Sequence, residues 1–279
     1  MTATPHTDHP SLSALALFLD VDGTLLEIAP TPQGVSVPEA LRQRLRALSD
    51  GSGGAVALVS GRAIADLDGL FAPLTLPAAG LHGFEYRDGS GEYGRRPLPS
   101  AAALERARAA MVELAQRHPR LLVEDKRFAL ALHFRDAPQL EEPVVAAMLE
   151  VAASLGGELE LQRGKMVVEL RPAGATKGKA VAAFLQAPPF AGRLPIFLGD
   201  DLTDEPAFEL VNRLGGLSVL VGAPRPSAAR CRLEDVSAVR HWLAELEAAP
   251  HAAVGRLTAA SRGSAATLAP AGPKLRGHG

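Results

Sequence analysis

The stretch Phe18-Leu19-Asp20-Val21-Asp22-Gly23-Thr24-Leu25-Leu26 constrains this chain more than any other. The apolar run from Leu15 to Leu19 reads as a short strand buried on both faces. It ends in two aspartates separated by one valine, and Gly23 and Thr24 then turn the chain. Desolvating a carboxylate costs several kcal/mol or shifts its pKa, so buried carboxylates need partners. Two at the end of one apolar strand repel each other unless a cation lies between them. The plain alternative is a strand that ends in a solvated Asp-Gly turn.

The chemistry that suits this pattern is phosphoryl transfer through an aspartyl phosphate. Asp20 is the expected nucleophile. Asp22 is the expected general acid, and then the base that activates water. Mg²⁺ would hold the carboxylates and the phosphoryl oxygens together, while Gly23 and Thr24 let backbone N–H groups approach those oxygens.

The rest of the chain supplies the expected frame. Helical spacing follows Pro38, and Ala55 to Val59 forms a second buried strand that runs into Ser60-Gly61-Arg62 and a further helix, Ala63 to Leu70. Strand–helix–strand–helix alternation signals a parallel sheet covered on both faces. Its site lies at the carboxyl ends of the strands, where Asp20, Asp22 and Ser60 fall. Ser60 reads both as a helix N-cap and as a hydroxyl donor to the phosphoryl group. A third strand, Leu76 to Gly80, leads to His82 between glycines. Residues 88–99 read as a linker. From Ser100 the rhythm changes to helix, hairpin, helix, hairpin, with hairpins at 121–135 and 158–171.

The sheet pattern then resumes. Lys177 opens a helix from a glycine-rich loop. Lysine is at the unfavourable end of the helix dipole there, which points to an anion; Lys179 reads as a solvated helix residue. Leu194 to Gly199 is a strand ending in Asp200-Asp201-Leu202-Thr203-Asp204-Glu205, read as a metal site with Asp200 as direct ligand and Asp201 and Asp204 acting through water or hydrogen bonds. Leu217 to Val221 reads as the last strand and Val236 to Leu246 as the closing helix. The expected layout is a disordered lead-in (1–13, with His6 and His9 in a solvated tail), a discontinuous core (14–96 and 172–249), a cap (97–171) and a disordered tail (250–279). The tail is rich in Ala, Gly and Pro and holds four Lys or Arg and no acidic residue.

Composition excludes several classes. At 279 residues and 47% apolar, the chain can bury one large or two modest cores. A net charge of −2 gives no reason to expect nucleic acid or an anionic membrane. Cys231 is the single cysteine, so no intrachain disulfide forms. Met1 to Ser13 does not resemble a signal peptide, and no apolar run reaches the ~18 residues of a membrane span. The expectation is a cytoplasmic monomer acting on a small molecule.

Together Asp20-x-Asp22, Ser60, Lys177 and Asp200-Asp201-x-x-Asp204 resemble, in order, the four signatures of the haloacid dehalogenase superfamily. Finer motifs resemble the trehalose-6-phosphate phosphatase family over about residues 14–247. They are Ser60-Gly61-Arg62, Gly80-Leu81-His82-Gly83, Glu124-Asp125-Lys126, His133-Phe134-Arg135, Glu169-Leu170-Arg171-Pro172, Gly174-Ala175-Thr176-Lys177-Gly178 and Gly199 to Glu205. The resemblance implies an α/β fold: a Rossmann-like parallel-sheet core with an inserted α+β cap that closes over the site. It implies a sugar phosphate as substrate, with Glu124, Lys126 and Glu169 holding sugar hydroxyls from the cap and Gly61, Arg62, His82, Gly83 and Arg135 around it. Mg²⁺ would sit on Asp20, Asp200 and the backbone carbonyl of Asp22. Two positions depart from the family pattern: Phe134, where tyrosine is common, and Pro206, where an acidic residue is common. Another capped sugar phosphatase, for sucrose phosphate or a mannosyl phosphate, stays open on these residues. So do a phosphomutase and a non-catalytic sugar-phosphate sensor.

Overall fold

The structure, a computed structural model, describes residues 10–28, 34–95, 99–126 and 128–265. His6, His9 and most of the lead-in, part of the loop after Ile28, and residues 266–279 lie outside the described residues. No helix among those described is long and apolar enough to cross a membrane.

The elements run β1 (Leu15–Leu19), α1 (Glu39–Gly51), β2 (Val56–Val59), α2 (Ile64–Phe71), β3 (Ala78–Gly80), β4 (Glu85–Arg87) and β5 (Tyr93–Arg95). Then come α3 (Ala101–Arg117), β6 (Leu122–Asp125), β7 (Leu130–His133), α4 (Glu141–Ser154), β8 (Leu159–Gly164) and β9 (Val167–Pro172). The chain finishes with α5 (Lys177–Phe184), β10 (Leu194–Gly199), α6 (Glu205–Arg213), β11 (Leu217–Val221), β12 (Cys231–Leu233), α7 (Val236–Ala248) and α8 (Pro250–Ala265).

One sheet has the order β12-β11-β10-β1-β2-β3-β4-β5, parallel from β12 to β3 and antiparallel at β4 and β5. Strand alternation divides β1 between two cores. Leu15, Leu17 and Leu19 pack with side chains of α1, α2, α7 and α8. Ala16 and Phe18 face α5 and α6, where Phe18 lies 5.3 Å from Phe190 between ring centres. From β1 the chain moves outward through β2 and β3, and it returns on the other side at β10. Strand order therefore reverses between β1 and β10, and the crevice at their carboxyl ends is the natural ligand position. Asp20 and Asp200 follow these two strands.

The second sheet is antiparallel, β6-β7-β9-β8, with α3 and α4 on one face. Leu130, Leu132, Val168 and Leu170 point into that core. Period-2 alternation then turns Glu124, His133, Glu169 and Arg171 to the opposite face, towards the first sheet's carboxyl edge. The expected parallel-sheet core with an inserted α+β cap is the architecture observed.

Four local expectations need correction. Residues 88–95 do not form a linker: Asp88 Oδ1 accepts from Ser90 N, Ser90 Oγ and Glu92 N at 2.7–2.9 Å, folding the charged, glycine-containing stretch into the turn of the β4–β5 hairpin. β12 follows β11, so β11 is not the last strand. Ser60 is not an N-cap, since α2 begins at Ile64 and the buried Glu85 carboxylate takes the Ile64 N–H at 2.5 Å. The expected disordered tail is helical from Pro250 to Ala265. Its low-complexity composition conceals an apolar stripe, Ala253, Val254 and Leu257, that packs on α7 and the first core. Pro250 suits a first helical position, and the Trp242 indole N–H donates to Ala253 O at 3.1 Å.

Because Trp242 is the only tryptophan, it reports on this docking. Val254→Asp should destabilise the protein by ~2–4 kcal/mol, as expected for an unpaired charge forced into a core. It should also shift tryptophan emission to the red. Unchanged melting and emission would show that α8 does not contribute to the core.

Candidate active site

Asp20 leaves β1 with its N–H bonded to Leu198 O of β10 at 3.0 Å, which fixes its carboxylate at the sheet edge. Oδ1 accepts from the Lys177 ammonium at 2.6 Å, and Thr24 Oγ1 donates to Oδ2 at 3.3 Å. Lys177 also donates to Asp204 Oδ1 at 2.7 Å, and Asp204 Oδ2 takes the Asp201 N–H at 2.9 Å. Asp20, Lys177 and Asp204 are all buried. Burial works against the ammonium, but the charges of Asp20 and Asp204 outweigh it and push the Lys177 pKa up. Asp204 thus serves to hold Lys177. Asp201 caps the short turn Leu202–Asp204, its side chain accepting from Leu202 N at 2.7 Å.

Asp200 lies beside this group. Burial, reinforced by Asp20 and Asp204, pushes its carboxyl up to about 9. Burial pushes the Asp20 carboxyl up to about 7 despite the counter-pull of Lys177. Carboxylate oxygens of Asp20, Asp200 and Asp204 come within 4.8 Å of one another. Gly23, at φ +83°, leaves room that any Cβ would take from the Asp200 carboxylate. All-oxygen donors and two carboxyls held above their usual range fit a hard divalent cation. Asp204 is fully buried with both oxygens bonded at 2.7–2.9 Å, whereas Asp20 Oδ2 has only the 3.3 Å contact from Thr24, so Asp20 and Asp200 are the carboxylates best placed to take one.

Ser60 follows β2 and is buried; its Oγ accepts from Arg62 N at 3.2 Å, leaving its O–H to donate. Arg62 forms a two-point pair with Asp22, Nε to Oδ2 and Nη2 to Oδ1, both 2.6 Å. That pair raises the Arg62 pKa. The structure therefore ties Arg62 to the expected acid–base residue.

His82, at φ +58°, packs against Gly61, where a Cβ would strike the imidazole. Its Nε2 meets Glu169 Oε2 at 2.6 Å, a direct contact from the first sheet to the second. Burial pushes the His82 pKa down against the pull of Glu169, and its buried Nδ1 has no hydrogen-bond partner among the described residues. Lys126 reaches Glu169 Oε1. Burial would raise the Glu169 carboxyl, but Lys126 and His82 bring it well below its usual range. Glu124 accepts from His133 Nε2 at 2.8 Å; burial would raise its carboxyl, but His133 and Lys126 together bring it below its usual range. Gly83, at φ +95°, sits against Thr176 at the start of α5.

One sequence candidate is not brought in. Arg135 lies exposed beyond β7, where among the described residues it makes no hydrogen bond or ion pair with these side chains. The two departures are also placed: Phe134 is buried in the core beneath α3 and α4, and Pro206 is at the start of α6, where its missing N–H is not needed. Thr24, expected to lend its backbone, also bonds Asp20 through its side chain, and two contributors had no motif to reveal them. Glu85 caps α2. Arg225 donates to Asp201 O at 2.9 Å and to Glu205 at 2.5 Å, tethering the acidic loop from a proline-containing segment.

The raised carboxyls set a sign for stability. Both bind protons more tightly folded than at their ordinary 3.8. The folded state of the metal-free protein therefore loses stability as pH rises from about 4 through about 7 to about 9. A divalent cation, binding the ionised form, should raise the melting temperature by a few degrees more near pH 9 than near pH 6. Calorimetry with and without saturating Mg²⁺ checks this; an equal or smaller rise near pH 9 would contradict it.

The trehalose-phosphatase family model matches residues 18–237. The chain is 45% identical over 240 residues to a trehalose-6-phosphate phosphatase of Escherichia coli K12, covering 86% of this chain and 89% of that one. It is 48% identical over 213 residues to a probable trehalose-phosphate phosphatase of Sinorhizobium fredii, covering 76% and 80%. Among solved structures, a trehalose-6-phosphate phosphatase related protein superposes with a TM-score of 0.67 at 25% identity, covering 84% of this chain and 96% of that one. The C-terminal domain of the Candida albicans trehalose-6-phosphate phosphatase shares the fold with a TM-score of 0.75 at 24% identity, covering 84% and 91%. With a match over most of its length and this arrangement at the sheet edge, the chain belongs to the trehalose-phosphatase family.

Proposed function

We propose that the protein hydrolyses trehalose 6-phosphate to trehalose and phosphate through an aspartyl phosphate on Asp20. The observation that carries this reading is the facing of two charged sets: Asp20, Lys177 and Asp200 on the core, and Glu124, Lys126 and Glu169 on the cap.

Asp20, Asp200 and the Asp22 carbonyl would hold Mg²⁺, which when bound supplies positive charge against the carboxylates and the phosphoryl oxygens. Lys177 fixes the Asp20 carboxylate through Oδ1 and adds a second positive charge beside the phosphoryl group. Ser60 donates its hydroxyl to a phosphoryl oxygen. Asp20 attacks phosphorus, the bond from phosphorus to the sugar oxygen breaks, and Asp22 gives that oxygen a proton. Asp22 must first leave Arg62, and the incoming phosphate dianion offers the guanidinium a competing partner of the same two-oxygen geometry. Asp22 then takes a proton from water, which attacks phosphorus and releases phosphate and free Asp20. Cap carboxylates hold the sugar hydroxyls by charge-assisted hydrogen bonds and repel free phosphate. The same reading makes the protein a cytoplasmic monomer with a small sugar phosphate as its partner and no nucleic acid or membrane.

Asp20→Asn keeps the shape and removes the nucleophile, so kcat should fall by ~10³-fold or more. Phosphate release is to be measured with trehalose 6-phosphate, sucrose phosphate, glucose 6-phosphate and p-nitrophenyl phosphate, with chelator and with Mg²⁺. Strong preference for trehalose 6-phosphate, lost with chelator, is expected. Robust turnover by Asp20→Asn would refute covalent catalysis. Preference for another sugar phosphate would keep the core chemistry and discard the cap assignment, and no release from any of them would favour the sensor or mutase.

A further inference from the structure

The acidic turn after β10 is held from two opposite sides. The peptide between Asp200 and Asp201 donates its N–H to Asp204 Oδ2 at 2.9 Å, and its carbonyl, Asp200 O, accepts from Arg225 Nη2 at 3.4 Å. That peptide is a planar trans unit, so its two polar ends point in opposite directions. Holding both ends stops the plane from turning, and with it the backbone that aims the Asp200 carboxylate. The contact to Asp200 O is long. The same nitrogen makes a better one to the next carbonyl, Asp201 O, at 2.9 Å. One anchor, Asp204, is fixed through Lys177. The other, Arg225, comes from outside the residues that handle phosphate.

Arg225 is itself held in place. It lies between Pro224 and Pro226, which narrow its backbone choices. Its Nη1 donates to Glu205 Oε1 at 2.5 Å and to Pro226 O at 3.1 Å. Glu205 Oε2 accepts the Ala228 N–H at 2.7 Å. Asn212 of α6 donates to Ala228 O at 2.6 Å and accepts from Ser218 of β11 at 2.7 Å, which ties the loop to the core. Glu205 therefore carries the arginine and its loop on its two oxygens. Although it ends the acidic run, it stands outside the group of carboxylates that could share a cation.

A guanidinium beside a cation site acts in two opposing ways. Its charge repels the cation, whereas its hydrogen bonds hold the loop that bears the ligand. Here Glu205 offsets the charge, and the hydrogen bonds to the two carbonyls remain. We propose that Arg225 is a positioning residue for the divalent cation: it keeps the Asp200 carboxylate aimed at the metal through the carbonyls of Asp200 and Asp201, and Glu205 keeps Arg225 aimed at them. The inference rests on the reading above in which Asp20 and Asp200 hold Mg²⁺.

The test is a calorimetric titration of Mg²⁺ into the substrate-free wild type, Arg225→Met and Arg225→Lys, followed by kcat for trehalose 6-phosphate at saturating Mg²⁺. Groups that orient metal ligands typically change affinity by about 10–100-fold when removed. Arg225→Met should bind Mg²⁺ about tenfold more weakly. Arg225→Lys, which keeps the charge but not the fork, should fall between it and the wild type. Saturating Mg²⁺ should restore kcat to within about twofold of the wild type in both variants. Should Arg225→Met fail to fold, Arg225→Lys carries the test, and wild-type affinity in that variant overturns the proposal. Tighter Mg²⁺ binding by Arg225→Met would show that the charge dominates, which also overturns it. So would a weaker affinity whose loss of kcat persists at saturating Mg²⁺, because the arginine would then serve the architecture at large. A wild type that binds no Mg²⁺ overturns the metal reading and this inference together, whereas a wild type that binds it with the same affinity as both variants overturns this inference alone.

Discussion

The Lys177 ammonium, buried between the carboxylates of Asp20 and Asp204, is the interaction on which the rest of this site depends. Removing one partner of a buried ion pair typically costs ~3–5 kcal/mol, because the other charge is left uncompensated. Here Lys177, Asp20 and Asp204 form an arrangement of three groups, and Asp200 adds a third carboxylate against the one lysine, so the group is net negative once its carboxyls are ionised. That imbalance makes the site a receptor for a cation, and the cation together with Lys177 makes it a receptor for a phosphoryl dianion. Strand order reverses between β1 and β10, bringing Asp20 and Asp200 side by side. The glycine-rich entry to α5 delivers Lys177 to the same edge.

The cap applies a second consequence of strand geometry. One face of its sheet is consumed by α3 and α4, so alternation leaves Glu124, Glu169 and their neighbours on the other. The contact from His82 to Glu169 then ties that polar face to the core. Glu169 is shared by a lysine and a histidine, one on each part of the molecule. The same contacts that join the two parts of the molecule therefore also orient this carboxylate. The lowered pKa of Glu169 keeps it an acceptor, which a hydroxyl-rich ligand needs.

Much of this was legible in the sequence for identifiable reasons. Asp20, Lys177 and Asp200 stand at strand or helix ends where a charge has no structural excuse, and the structure brings all three together. The turn residues Arg163-Gly164-Lys165 marked the second hairpin, and the second helix of that block, read over Glu141 to Ser154, is helical there. What escaped was carried by geometry rather than pattern. Glu85 caps α2 from a three-residue strand too short to show a pattern, and Arg225 reaches the acidic turn from a segment with no motif. The Arg62–Asp22 pair spans forty positions and leaves no local trace. In α8, three apolar positions among alanines and glycines were enough to dock a helix that composition alone reads as disordered.

The central claim is that phosphate passes through Asp20. It is tested most directly by acid-quenching the enzyme early in its reaction with trehalose 6-phosphate and locating the added phosphate by peptide mass spectrometry. The account predicts phosphate on the peptide holding Asp20, on Asp20 and not Asp22, accumulating before free phosphate appears. Quenched enzyme that turns over substrate yet carries no phosphate on Asp20 at any time point would contradict it.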